Sequence, residues 1–327
     1  VHPPDPVKPW RLQPTTPALA GVVLSALLLV GCATPPQLAA LQNDWPAALP
    51  ARVQVSGVPF YAQPGDTLCG PTTLAMVARA AGSPVTPASL TPQVYLPGRQ
   101  GALQTEMLAA ARRQGLVAYP LEPRLNALLR ELASGAPVLV LQNLSLPFAP
   151  QWHYAVAVGY DRQADVIELH SGTTERLRMP LSTFERTWAR SEHWAVRVTA
   201  PDVLPATAQP DTWAQAVAPL ERSDRRAAHV AWQTALARWP DHRVSLLGLG
   251  NTAYALGDRP GARQAWEAAV RAHPDFADAW NNLAQVRLDL GERDAARDAA
   301  RRAVALGGPR LAAYQELLDT IERQRRP

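Results

Sequence analysis

The chain has 327 residues, 47% of them hydrophobic and 18% charged, with a net charge of +4. That size and apolar share leave room for two domains and exclude a mainly disordered polymer. Acidic and basic residues interleave, and every basic residue except Lys8 is arginine, so no nucleic-acid stripe stands out. Phosphate-loop, dinucleotide and metal-ligand spacings are missing as well, so neither cofactor nor metal is expected. The chain opens with Lys8 and Arg11, followed by an apolar run from Ala18 to Val30. That run is short for a membrane-spanning helix. It ends Leu29-Val30-Gly31-Cys32, then Ala33-Thr34-Pro35-Pro36.

This beginning resembles a bacterial lipoprotein signal. The resemblance implies a signal peptide over residues 1–31, a lipidated Cys32 as first residue of the mature protein, and attachment to a membrane facing the periplasm. Ala33, where Asp would direct retention in the inner membrane, implies the outer membrane. The plain alternative is an ordinary secretory signal or an uncleaved anchor. Residues 32–50, rich in Pro, Ala and Gln, read as a tether. The chain has only two cysteines. With Cys32 consumed, Cys69 is a lone thiol in an oxidising compartment and needs a reason to be there.

Residues 51–199 mix helix and strand signals. Val53 to Tyr61 reads as a strand, and Thr72–Ala81, Gln104–Gln114 and Arg124–Ser134 as helices. Buried or half-buried strands follow at Pro137–Gln142, Trp152–Tyr160, Asp165–His170 and His193–Val198. Helices first and then a run of strands predict an α+β domain. Residues 200–210 are Pro-rich and read as a linker.

Residues 211–327 carry a repeat of 34 residues. It relates Trp232 to Trp266, Pro240 to Pro274, Gly257 to Gly291 and Gly250 to Ala284, with small residues in register at Ala228, Ala262 and Ala296. This pattern resembles tetratricopeptide repeats, which implies an all-α arm of helix pairs whose concave face binds a protein partner. The units fall at about 209–242, 243–276 and 277–310, with Arg310 to Arg325 as a capping helix. The first is degenerate, with Ser223 at the turn position.

The chemistry centres on the run from Phe60 to Thr73, which contains Gln63 and Cys69-Gly70-Pro71. A cysteine after a Gly- and Asp-containing loop, at the start of a helix, feels the positive end of the helix dipole. A nucleophilic thiol needs a base, a group to orient it and donors for the oxyanion. His2 lies in the signal, and His229, His242 and His273 lie in the repeats. That leaves His153, His170 and His193. His153 opens a strand behind a loop, where a base can face the thiol; His193, beside Trp194, reads as a packing residue.

Gln63 six residues before Cys69-Gly70-Pro71, with His153-Tyr-Ala-Val-Ala-Val-Gly-Tyr-Asp on a later strand, resembles the papain-like cysteine peptidases of the bacteriocin-processing type. The resemblance covers about residues 53–198. It implies Cys69 as nucleophile, Gln63 as oxyanion donor and His153 as base, acting on a peptide or protein substrate. Read without it, Gln63 is a turn residue and His153 a histidine at a strand edge. The family's third member is an Asp in an Asn-Asp-Pro-like run. This chain departs from it with Val166-Ile167-Glu168-Leu169-His170-Ser171-Gly172. His170 stands at roughly that place, with Glu168 or Asp161 as substitutes, Asp161 belonging more naturally to a hairpin turn. A neutral imidazole there orients the base but stabilises an imidazolium less than a carboxylate does. The rival readings are a non-catalytic peptidase-like binding module or scaffold, and an amidase acting on cell-wall peptides.

Overall fold

The computed structural model describes residues 34–63 and 65–323; the signal segment 1–31 and Cys32 lie outside them. Among the described residues no helix is long and apolar enough to cross a membrane. In the front unit, β1 (Arg52–Gln54), β4 (Val117–Pro120), β5 (Val138–Asn143), β6 (Trp152–Asp161), β7 (Val166–Ser171), β8 (Thr174–Pro180) and β9 (Ala195–Thr199) form one antiparallel sheet. Its order is β4-β9-β5-β6-β7-β8, with β1 beside the second half of β6. The short strands β2 (Tyr95–Leu96) and β3 (Gly101–Ala102) make a separate hairpin.

Strand alternation divides the core. Leu139, Leu141, Tyr154, Val156 and Val158 face one side, under α2 (Cys69–Ala80), α3 (Pro87–Val94) and α4 (Gln104–Arg113). Val138, Val140, Ala155 and Ala157 face the other, under α5 (Leu125–Ala133) and α6 (Leu181–Ala189). With both faces covered, β5 is buried along its whole length and opens with the apolar run Val138–Leu141. The expected α+β class holds. The expected strand from Val53 to Tyr61 shortens to β1, and the rest is the loop that carries Gln63.

Two segments expected to be free are held in place. Within residues 32–50, α1 (Pro36–Asn43) packs on the front unit through buried Leu38 and Leu41. The buried Glu185 carboxylate of α6 accepts from the Gln37 N–H at 3.0 Å and the Leu38 N–H at 2.7 Å. This places a negative group at the positive end of the helix. The segment at 200–210 is stitched to the same unit. Glu131, fully buried, accepts from both the Thr207 N–H (2.7 Å) and its hydroxyl (2.6 Å). Tyr119 donates to the Thr207 carbonyl at 3.2 Å, and Arg130 to the Ala206 carbonyl at 3.2 Å.

The arm follows as α7 (Pro210–Val217), α8 (Leu220–Ser223), α9 (Arg225–Arg238), α10 (Arg243–Ala255), α11 (Arg259–Ala272), α12 (Ala277–Asp289), α13 (Arg293–Leu306) and α14 (Leu311–Arg323). Gly257 and Gly291, with φ of +90° and +80°, make the turns within the second and third pairs, a conformation glycine adopts at little cost. Trp213 and Trp232 join the same core cluster as Leu128 and Trp188. The first repeat and the front unit therefore bury a common interior.

Candidate active site

Cys69 is the first residue of α2, directly after a 3₁₀ turn at Asp66–Leu68. The helix begins three residues earlier than its apolar pattern suggests, because Gly70 and Pro71 fit a first turn. No side chain caps this terminus, and at its first residue the thiol lies at the positive end of the helix dipole. The Gly70 position is dictated by contact: a Cβ there would stand 2.5 Å from the Ala102 Cβ. Any larger residue would push β3 off the helix start.

Cys69 is buried yet lines a cavity of about 560 Å³, together with Ala102, Leu141, Trp152, Tyr154 and Arg190. The sulfur is therefore not sealed in the apolar interior. Trp152 walls the cleft, and Tyr154 donates to the Ala102 carbonyl at 3.4 Å. Burial, then the nearby Cys69 and Glu106, drive the Tyr154 hydroxyl far above the usual phenol range. It stays protonated.

Gln63 is buried. Its N–H donates to the Gly172 carbonyl at 3.1 Å, which ties its loop to the end of β7. Its side-chain Nε2 is buried without a protein acceptor among the described residues. A buried amide donor of this kind suits an oxyanion.

His153 lies between Trp152 and Tyr154, the two cavity walls, near the start of β6. Its register partner is Gln142, which bonds Thr187 of α6 at 2.6 Å. Alternation therefore sets the half-buried imidazole on the α6 side of the strand, and the ring is not among the groups lining the cavity. Its Nε2 is 2.9 Å from the Ser171 hydroxyl.

Ser171, not His170, is the partner of His153. The reason is a bulge in β6. Gly159 pairs with Glu168, but Ala157 pairs with Leu169 and Val156 with His170, so Val158 is an extra residue. An unbroken ladder would place His170 opposite Ala157, on the face of His153; the bulge flips that parity and brings Ser171 there. His170 is used elsewhere. Its Nδ1 accepts from the Arg176 N–H at 3.2 Å, its ring bonds the Val58 backbone, and it lies 5.3 Å from the Phe60 ring. Glu168 is bound to Arg176 at 3.0 Å. Asp161 caps the β6–β7 turn by accepting from the Ala164 N–H at 3.0 Å. His193 packs edge-on against Trp188 at 4.8 Å, as expected of a packing residue. Sequence counting missed Ser171 because a bulge leaves no mark in periodicity; the adjacent His-Ser-Gly was the available hint.

Residues 55–196 match the Peptidase_C39 like family. The front unit is a C39-like domain. Residues 247–310 match the tetratricopeptide repeat family. No curated protein matches the chain. Among solved structures, a C39-like peptidase from Bacillus anthracis is 18% identical, covering 45% of this chain and 97% of that one, with a TM-score of 0.40. The TPR2B domain of yeast Sti1, in complex with pHsp70, is 18% identical over 35% of this chain and 98% of that one, with a TM-score of 0.33. The Yersinia enterocolitica secretion chaperone SycD, in complex with a YopD peptide, is 17% identical over 36% and 94%, with a TM-score of 0.34. The C39-like domain carries the cleft, and the repeats follow it as a helical arm.

Burial depresses the pKa of His170 below its ordinary 6.5, and does the same for His193 and His229. The unfolded chain takes up these protons at a higher pH than the folded one. Their contribution to stability is therefore complete above 6.5 and is lost as pH falls below it. Urea midpoints should drop between about pH 7 and about pH 5, and His170→Gln should reduce that drop. Identical slopes in the two proteins would show that His170 is not buried neutral.

Proposed function

We propose that this chain is a lipid-anchored periplasmic cysteine peptidase with a protein-binding repeat arm. The observation that carries the reading is Cys69 at an uncapped helix N-terminus, opening on a cavity walled by the two neighbours of His153. In this mechanism His153, at the start of β6, reaches past the strand end from the α6 side of the sheet to the thiol and takes its proton. With Ser171 accepting the Nε2–H, Nδ1 is the nitrogen that exchanges protons with the sulfur. The thiolate attacks a peptide carbonyl, and the Gln63 amide and the Cys69 N–H hold the oxyanion. His153 then protonates the leaving amine, and water releases the acyl group. Cys32 lipidation, with Ala33 after it, would place the protein at the outer membrane.

A hydroxyl in place of the family's carboxylate favours a second reading, a cleft that binds without turnover. A protein extract of the cell envelope separates the two. The wild type should generate new peptide termini that are absent with Cys69→Ala. Equal digests, with both proteins retaining the same bound peptides, would favour the binding module. New termini confined to cell-wall peptides would indicate the amidase.

A further inference from the structure

The sheet has a distinct active-site end. β4 and β5 finish there, at Pro120 and Asn143, and β6 and β9 start there, at Trp152 and Ala195. The loop between β5 and β6 projects from this end with unusually exposed apolar side chains: Phe148 is 83% exposed, Leu146 and Trp152 51% each, and Leu144 39%. Its base is braced rather than loose. Arg190 donates to the Asn143 carbonyl at 3.1 Å and the Ser145 carbonyl at 2.8 Å, and Asn143 Oδ1 accepts from the Ser145 and Gln151 N–H groups. A fixed apolar protrusion of this kind marks a contact surface.

The same end receives the N-terminal chain. The first turn of α1 is pinned there by Gln37, which donates to the Pro123 carbonyl at 3.0 Å, accepts from the Leu125 N–H at 2.6 Å, and lies 3.3 Å from His193 Nε2. Pro123 and Leu125 follow the end of β4, and His193 precedes the start of β9. From Cys32 to Pro36 is four residue steps, a leash of about 14 Å at full extension. A lipid on Cys32 therefore holds this end of the domain, not the repeat arm, against the bilayer.

We propose that the C39-like domain docks on the membrane by its active-site end, inserting the Leu144–Trp152 loop into the lipid interface. The inference rests on the lipoprotein reading given above. The chemistry of the loop suits the occupant: Phe and Trp are favoured at the interfacial depth, and Leu contributes apolar area. Arg99 and Arg190, which line the cavity at this end, face anionic headgroups. Docked in this way, the Cys69 cavity opens close to the bilayer surface. Its substrates are then peptide segments lying within a short distance of a membrane, such as the ends of membrane-bound proteins.

The test uses the full acylated chain in vesicles, with Cys69→Ser so that a single introduced thiol carries the fluorophore. A probe at Phe148→Cys should lose most of its emission to nitroxide-labelled lipid. A probe at Gln163→Cys, in the exposed β6–β7 turn at the opposite end of the sheet, should keep it. In the unacylated Cys32→Ala protein, Phe148→Asp should weaken vesicle flotation by about tenfold. Acylated Cys32 with neither probe quenched, or with both quenched equally, would overturn docking and leave the lipoprotein reading standing. A Phe148 probe that responds to added peptides but not to vesicles would reassign the loop to substrate. An intact mass without acyl chains would remove both readings together.

Discussion

Replacing His153 by alanine should lower kcat/KM for peptide hydrolysis by about 10² to 10⁴-fold, the usual worth of a general acid–base. The neighbouring residues divide the effect in an informative way. Ser171→Ala removes one hydrogen bond at 2.9 Å from the imidazole, a loss of about 1 kcal/mol, or roughly fivefold in rate. Ser171→Asp should raise the rate above wild type, because a carboxylate stabilises the imidazolium that a hydroxyl only orients. His170→Gln should leave kcat where it was, since that ring is committed to Arg176 and Val58. Steady-state kinetics on one peptide substrate check the whole series. If His170→Gln were as damaging as His153→Ala while Ser171→Ala were silent, the bulge-shifted assignment would be wrong.

The second large effect concerns the joint between the C39-like domain and the repeats. Glu131→Ala should destabilise the protein by about 3–5 kcal/mol, because it leaves buried partners of a carboxylate unpaired. Those partners are the Thr207 N–H and hydroxyl, and Arg197 at 4.0 Å, a guanidinium already disfavoured by its own burial. Glu131→Gln keeps one oxygen for Thr207 and should cost less. Chemical denaturation followed by intrinsic fluorescence measures both. Because Trp213 and Trp232 share a core with Leu128 and Trp188, the front unit and the first repeat should unfold together in the wild type. Two separated transitions in the wild type, or a Glu131→Ala midpoint equal to it, would show that the joint is not structural.

The parts of this molecule legible in sequence are those whose signal is local. Short apolar runs in Val138–Leu141 and Tyr154–Val158 reported strands because both faces of the sheet are covered. The repeat was legible because Trp232 and Trp266, or Gly257 and Gly291, meet the same packing need 34 residues apart. Cys69 stood out because a loop and a helix start met at a lone thiol. What escaped depends on distant partners. Pro36–Asn43 has little amphipathic pattern of its own, and it is held as a helix by Glu185, 147 residues away. Residues 200–210 look like a free linker by composition, and it is distant partners, Glu131, Arg130 and Tyr119, that hold them. β8 is polar on much of its length because it lies at the sheet edge, so no apolar alternation betrayed it. His170 was misassigned because one unpaired residue, Val158, reversed the facing of everything beyond it.

The central claim is a poised Cys69 served by His153. It is tested most directly by intact-mass measurement of the rate at which a peptide electrophile modifies the folded protein. The account predicts a single adduct, mapped to Cys69, forming rapidly in the wild type and at least about tenfold more slowly in His153→Ala. Equal, slow modification of the two proteins, or none at Cys69 while the protein remains folded, would contradict it.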